Sequence, residues 1–154
     1  FAEYLRTNMN ALNAKGTVPF ETELKHIQTY LYLEQLRFGD ELHVEMDIAE
    51  TDFYLPALTI QPLVENAVKW GVGCKEDGGT VTLSTRRTPL GMEITVSDDG
   101  VGFDPEQPPQ DGKDHLGLQL VRDRLQMVCG AKLTVESQVG QGTVVRVLIP
   151  YNRD

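Results

Sequence analysis

Two polar side chains stand at the ends of predicted strands, on faces that are otherwise apolar. Met92, Ile94 and Val96 share one face of a strand because successive strand residues point to opposite sides. Asp98 falls on that same face. A carboxylate placed there loses hydration and needs a hydrogen-bond donor from the protein or from a ligand. The amino group of adenine is one such donor.

A second predicted strand has the same arrangement. Thr143 shares a face with the apolar side chains at positions 145, 147 and 149, and it follows the run Gly140-Gln141-Gly142. Its hydroxyl could complete the contact that Asp98 begins. The alternative is that the run Asp98-Asp99-Gly100 is an ordinary turn, since Asp and Gly favour tight loops and short glycine motifs occur in many unrelated sequences.

A third candidate group lies on a predicted helix. At about 100° per residue, Asn66 lies nearly opposite the apolar stripe of this helix, with Lys69 and Trp70 three and four positions further along. The carboxamide oxygen of Asn is a hard ligand that suits Mg2+, and Lys69 could meet a phosphate as a point charge. A solvated helix face that carries an Asn is the alternative, although helix interiors disfavour Asn.

The start of a later helix is a fourth candidate. Residues 102–115 lack periodicity and are rich in proline, which predicts a long loop. The loop runs into His115-Leu116-Gly117-Leu118, where the free amides of the first helical turn could bind an anion. Gly117 would allow a phosphate to approach closely. The start of any helix would have a similar pattern.

Bulk composition limits the classes of partner. The chain has 154 residues, 40% of them hydrophobic, and a formal net charge of -9. This is typical of a globular domain and repels polyanions, so nucleic acid is not expected as a partner. The two cysteines, Cys74 and Cys129, fit neither a disulfide framework nor a metal site and indicate a reducing compartment. No membrane span or signal peptide is apparent, and a first residue of Phe1 inside a helical pattern predicts an excised piece of a longer protein.

Hydrophobic periodicity predicts four helices and five strands. The predicted helices cover residues 1–14, 21–38, 57–71 and 116–128, and the predicted strands cover residues 42–48, 80–87, 92–98, 133–137 and 143–149. The helix at 21–38 has a wide apolar surface. A partner chain, docking on the following domain, or simple packing on the sheet would each explain this surface.

Taken in chain order, these motifs resemble those of a known superfamily. The Glu-Asn helix, the Asp-x-Gly-x-Gly turn, the Gly-Leu helix start and the Gly-x-Gly-Thr strand are similar to the ATP-binding domain of histidine kinases, gyrase, heat-shock chaperones and mismatch-repair proteins. Two runs narrow the resemblance to the LytS-type sensor histidine kinases. They are Tyr30-Leu31-Tyr32-Leu33-Glu34-Gln35-Leu36-Arg37-Phe38-Gly39 and Pro62-Leu63-Val64-Glu65-Asn66-Ala67-Val68-Lys69. Together the motifs cover nearly the whole chain.

The resemblance implies an α/β (α+β) two-layer sandwich, in which helices cover one face of a mixed, mainly antiparallel sheet. Residues 1–39 would form the C-terminal part of a helical dimerisation and phosphotransfer region. Residues 40–154 would form the ATP-binding catalytic domain. ATP would lie between a helix layer and a lid made of residues 104–115.

The resemblance also implies a set of site residues. Asp98 would bind the adenine amino group, Asn66 would coordinate Mg2+, and Glu65 would polarise the phosphoacceptor as the catalytic residue. The full set of implied nucleotide-binding residues is Asn66, Lys69, Asp98, Gly100, Gly102, His115, Gly117, Leu118 and Thr143. Within this set, Gly100 and Gly102 would let the backbone approach the base, and Gly117 and Leu118 would lie at the phosphates.

The function implied by the resemblance is that of a two-component sensor histidine kinase, which transfers the γ-phosphoryl group of ATP to a His upstream of this chain. Its implied partners are the upstream phosphoacceptor helix, a second copy in a homodimer, and a response regulator. The implied location is the cytoplasmic side of a membrane-anchored bacterial protein. Three positions depart from the family pattern: Trp70 replaces a usual His, His115 the first lid glycine, and Leu120 a usual Asn. The alternative is therefore a degenerate nucleotide-binding or non-catalytic regulatory module of the same fold.

Overall fold

A computed structural model describes residues 16–106 and 116–151. The strands are β1 (Val18–Pro19), β2 (Leu42–Ile48), β3 (Tyr54–Leu55), β4 (Gly79–Thr88), β5 (Gly91–Asp98), β6 (Lys132–Gln138) and β7 (Gly142–Pro150), and the helices are α1 (Phe20–Phe38), α2 (Ile60–Asn66) and α3 (Leu116–Cys129). A π-helical turn (Ala67–Gly71) and a 3-10 turn (Val72–Cys74) continue α2. The predicted helix at residues 1–14 lies outside the described residues.

Five strands form one mixed sheet in the order β2-β4-β5-β7-β6. Strand β2 pairs parallel to β4, and the other three pairings are antiparallel. Alternate residues of β5, namely Met92, Ile94 and Val96, are buried, while the residues between them are partly exposed. This alternation places the core on one face of the sheet, where the helices lie. The predicted mixed, mainly antiparallel architecture is confirmed.

Helix α1 shares the core of the sheet. Its residues Phe20, Ile27 and Leu31 are buried in the same cluster as the inward side chains of β4, β5 and β7. Part of the wide apolar surface predicted for this helix therefore packs inside the domain. Another part, including Tyr32 and Leu36, is exposed. The boundary between residues 39 and 40 remains a prediction.

The start of α2 differs from its prediction. The helix begins at Ile60 and not at residue 57, because Leu58 has a φ of 60°. A left-handed residue cannot belong to a right-handed helix, so the regular hydrogen bonding begins only after it. The other helices and strands match their predicted ranges to within one residue at most ends. Within the described residues, no helix has the combined length and apolarity needed to cross a membrane.

Candidate functional site

Asp98 and Thr143 face each other across two neighbouring strands. Asp98 is the last residue of β5, Thr143 lies at the start of β7, and the two are direct partners in the antiparallel register. Both side chains are partly buried, at the end of a face whose other members are buried apolar residues. The structure thus brings together the two polar residues that strand alternation singled out.

The environment of Asp98 makes its carboxylate hard to ionise. Burial raises the pKa of Asp98 from its usual 3.8 to about 6 and is the largest influence, and the nearby Asp99 carboxylate acts in the same direction. Hydrogen bonds from the backbone amides of Gly100 and Thr143 oppose the increase; the Gly100 amide lies 2.9 Å from Oδ1. A carboxylate can accept about four hydrogen bonds, so capacity for a ligand donor remains.

Gly71 closes the wall opposite Asp98. A methyl group added to Gly71 would lie 2.4 Å from Oδ1 of Asp98, closer than real carbon and oxygen atoms approach. A methyl group on Gly100 would in turn lie 2.2 Å from the carbonyl carbon of Gly71. The end of the α2 segment and the Asp-x-Gly turn are therefore packed backbone to backbone, which only glycine permits.

Gly71 is a site residue that sequence reasoning missed. The prediction treated it only as the end of a helix. Its contact with Asp98 depends on how the helix layer sits on the sheet, and no local sequence pattern encodes this arrangement. The available signal was its position, five residues after Asn66 on the same segment.

A second missed residue is Ser137 on β6. Its Oγ lies 2.8 Å from Oγ1 of Thr143 and accepts a hydrogen bond from the Phe103 amide at 2.9 Å. Its Oγ also donates to the carbonyl of Gly142 at 3.2 Å, and either hydroxyl can be the donor in the contact between Ser137 and Thr143. Ser137 is the register partner of Thr143.

Gly102 lies against the turn between β6 and β7. Its φ is 64°, and an added methyl group would lie 2.1 Å from the carbonyl oxygen of Gln138. The protein's own backbone therefore gives Gly102 a reason to be glycine. The predicted roles of Gly100 and Gly102 toward a base remain predictions.

The end of α2 carries the candidate metal and phosphate ligands. Asn66 is the last residue of α2 and is partly buried, as is Glu65, which accepts a hydrogen bond from Gln61 at 3.3 Å. Lys69 is exposed, and its ammonium group lies 5.0 Å from the centre of the Trp70 ring. The π-helical turn that follows Asn66 is a rare conformation that occurs frequently at functional sites.

The first turn of α3 is the predicted phosphate-binding segment. Gly117 lies in this turn, and the side chain of Leu118 is partly buried against the hydrophobic core. A phosphate contact at Leu118 would therefore come from its backbone. His115 and residues 107–114 of the predicted lid lie outside the described residues. Within the described ranges, no group of three or more His, Cys, Asp or Glu side chains could hold a metal ion.

Comparison with models of known protein families shows to which family the chain belongs. Residues 54–153 match the family model described as histidine kinase-, DNA gyrase B-, and HSP90-like ATPase. The chain belongs to this ATPase family. Residues 1–42 match a second model, described as histidine kinase. The predicted superfamily is confirmed by these matches.

Similar sequences include sensor kinases. The chain is 39% identical over 155 residues to YwpD of Bacillus subtilis, covering 97% of this chain and 56% of the relative. It is 34% identical over 158 residues to the sensor histidine kinase YpdA of Escherichia coli, covering 99% of this chain and 28% of the relative. The sensor protein LytS of Oceanobacillus iheyensis is 28% identical over 163 residues, covering 97% and 28%. The chain thus spans about half or less of the length of these relatives.

Solved structures agree with the sequence matches. The histidine kinase domain of a blue-light activated kinase from Erythrobacter litoralis superposes with a TM-score of 0.68 at 25% identity, covering 96% of this chain and 70% of that one. The histidine kinase ThkA, solved in complex with the response regulator protein TrrA, gives a TM-score of 0.63 at 14% identity, covering 88% and 41%. At that identity the second match supports the fold alone. Together, the comparisons confirm the predicted ATPase-family domain and show that it is similar to the corresponding parts of sensor histidine kinases.

Proposed function

We propose that this chain binds ATP with Mg2+ beside Asp98 and delivers the γ-phosphoryl group to a His outside the chain. The observation that carries the proposal is the position of Asp98, a partly buried carboxylate with unused acceptor capacity that faces Thr143 across the sheet. Its charge is costly to bury, and a ligand donor would offset that cost. The exocyclic amino group of adenine supplies such a donor.

Discrimination between bases follows from the same carboxylate. Adenine presents an amino group where guanine presents a carbonyl oxygen, which would leave Asp98 without a donor and facing a second acceptor. A buried polar group left unpaired is penalised strongly, so the pocket should prefer ATP to GTP. Thr143 supports this preference, because its hydroxyl, which lies 2.8 Å from the hydroxyl of Ser137, can accept a hydrogen bond as well as donate one.

The residues at the end of α2 fit a magnesium ion held mainly by phosphate. Mg2+ takes few protein ligands and relies on phosphate oxygens and water for the rest. Asn66 would supply an oxygen, Lys69 would approach a phosphate, and Glu65 would polarise the acceptor group. When bound, the ion would neutralise charge on the transferred phosphoryl group, while the protein supplies positioning.

The wider assembly is also part of the proposal. The full-length protein would be a homodimeric, membrane-anchored kinase in a two-component system, with residues 1–39 belonging to its dimerisation and phosphotransfer region. A response regulator would receive the phosphoryl group. The match of residues 1–42 to the histidine kinase model supports the assignment of residues 1–39. ThkA, which shares the fold, is solved in complex with the response regulator protein TrrA.

Calorimetric titration with a non-hydrolysable ATP analogue tests the proposal. We expect binding that weakens when Mg2+ is withheld. With γ-labelled ATP, the chain alone should acquire no stable label, whereas the full-length protein should acquire label on a His. Stable label on this chain would contradict the placement of the acceptor. A folded chain without measurable binding would favour the non-catalytic module.

A further inference from the structure

Helix α1 carries a carboxylate that is almost completely buried. Glu23 is 3% exposed, although Glu is rarely buried unless it has partners. It lies in the first turn of α1, among the apolar residues that pack on the sheet. The partners that satisfy this carboxylate are therefore of structural interest.

Four backbone amides at the start of α2 donate hydrogen bonds to this carboxylate. The donors and their distances to the Glu23 carboxylate oxygens are Leu58 at 2.6 Å, Thr59 at 3.0 Å, Ile60 at 2.7 Å and Gln61 at 3.3 Å. These amides have no partner within the helix, and the positive end of the helix dipole favours an anion there. Thr59, at the cap position, makes no capping bond with its own side chain. Helix α2 is thus capped by a residue from another helix.

Two further contacts, one from α1 and one from α3, fix the chain that leads into α2. We call residues 53–61 the junction segment. Phe53 stacks on Phe20 of α1 with ring centres 4.6 Å apart, and its carbonyl accepts a hydrogen bond from the Phe20 amide at 2.9 Å. Arg124 of α3 donates to the carbonyl of Ala57. Helices α1 and α3 therefore meet at the segment that begins α2.

The junction segment also contains strained backbone. Leu58 has a φ of 60°, in the left-handed region that bulky residues rarely occupy. Such a conformation persists only where its surroundings enforce it. The shortest of the four hydrogen bonds to Glu23 comes from the amide of this residue.

The other end of the same helical segment forms the pocket wall. The chain runs from Ile60 through Asn66 and the π-helical turn to Gly71 without leaving a helical path. At Gly71 there is no spare room, since an added methyl group would lie 2.4 Å from Oδ1 of Asp98. A displacement at the start of α2 would therefore reach Asn66 and Asp98, because a helix moves nearly as a rigid body.

We propose that Glu23 is a positioning residue that couples α1 to the nucleotide pocket. This inference rests on the proposed function of that pocket. Movement of α1 relative to the sheet would pull the Glu23 carboxylate against the four amides and shift α2. By the reciprocity of linkage, bound nucleotide would also hold α1 in place. Glu23 touches no nucleotide in this account and acts only through α2.

Nucleotide titration of three proteins tests the coupling. The proteins are the wild type, Glu23→Gln, which keeps the shape but presents an amide group to the amide donors, and Leu133→Ala. Leu133 is a buried residue of β6 that makes none of the contacts described at the junction segment, and its truncation lowers stability by removing apolar side-chain atoms from the core. All three are compared at a temperature where each is folded.

We expect Glu23→Gln to bind the ATP analogue about tenfold to a hundredfold more weakly, as displaced site groups do, and Leu133→Ala to bind like the wild type. Equal affinity in Glu23→Gln, or parallel weakening in both variants, would overturn the coupling. Absence of binding in the wild type would overturn the proposed function first, so the two failures are distinguishable. Hydrogen exchange on the wild type covers the case in which Glu23→Gln does not fold. The amides of residues 58–61 should exchange more slowly with nucleotide bound, and an unchanged rate would overturn the proposal.

Discussion

Substitution of Asp98 by Asn should separate stability from binding. The wild-type carboxyl has a pKa near 6 in the folded protein and a usual value of 3.8. A raised pKa means that ionisation costs folding free energy, and this cost is absent below pH 3.8 and fully present above pH 6. The wild type without nucleotide should therefore lose stability as the pH rises through this window. Asp98→Asn has no charge to bury and should not.

The difference in stability between Asp98→Asn and the wild type can be estimated from the pKa shift. A shift of two pKa units corresponds to about 3 kcal/mol, at 1.36 kcal/mol per unit. Asp98 remains partly exposed, so solvent screening reduces this to about 1 kcal/mol. In a domain of this size we expect Asp98→Asn to melt roughly 2–4 °C higher than the wild type at pH 8. The difference should shrink at pH 4.5, where the wild-type carboxyl is largely protonated.

Thermal melts with and without an ATP analogue measure both effects. Asp98→Asn should lose the nucleotide-induced increase in melting temperature, because its amide presents a different hydrogen-bonding pattern to the adenine amino group. Asp47→Asn makes the same change at an exposed position of β2. It is the matched control and should keep the wild-type increase in melting temperature with nucleotide. A less stable Asp98→Asn at pH 8, or one that retains the nucleotide-induced increase, would refute the reasoning.

Three further predictions concern the walls of the pocket. Gly71→Ala should cost about 1–3 kcal/mol in chemical denaturation, because its methyl group overlaps the Asp98 carboxylate. In the double variant, Asp98→Ala should restore much of that stability but not nucleotide binding. If the two substitutions lowered stability additively, this would contradict the contact between Gly71 and Asp98. Ser137→Ala should weaken calorimetric affinity for the ATP analogue by about 1 kcal/mol, since Thr143 loses its hydrogen-bond partner; unchanged affinity would exclude this support. Asn66→Ala should make the affinity insensitive to removal of Mg2+ by a chelator, whereas an intact Mg2+ dependence would exclude Asn66 as the ligand.

The sequence allowed the pairing of Asp98 with Thr143 to be anticipated for a definite reason. Strand alternation has a period of two, so a polar residue in phase with an apolar face is visible without a structure. The register confirms that these two residues are partners. Most helix and strand ends were predictable on the same local grounds, whereas the mixed sheet was implied by the family resemblance.

Contacts between distant segments could not be anticipated. Gly71 meets Asp98 across 27 positions, and Glu23 caps a helix that begins 37 positions later. Neither contact has a local periodicity, because each depends on how one layer packs on another. The late start of α2 has a similar origin, since the left-handed conformation of Leu58 accompanies its bond to Glu23.

The most direct test of the account is a crystal structure of this chain with an ATP analogue and Mg2+. We predict that the adenine amino group donates to the Asp98 carboxylate at about 2.7–3.2 Å. A base bound elsewhere, with Asp98 making no contact with it, would contradict the central claim.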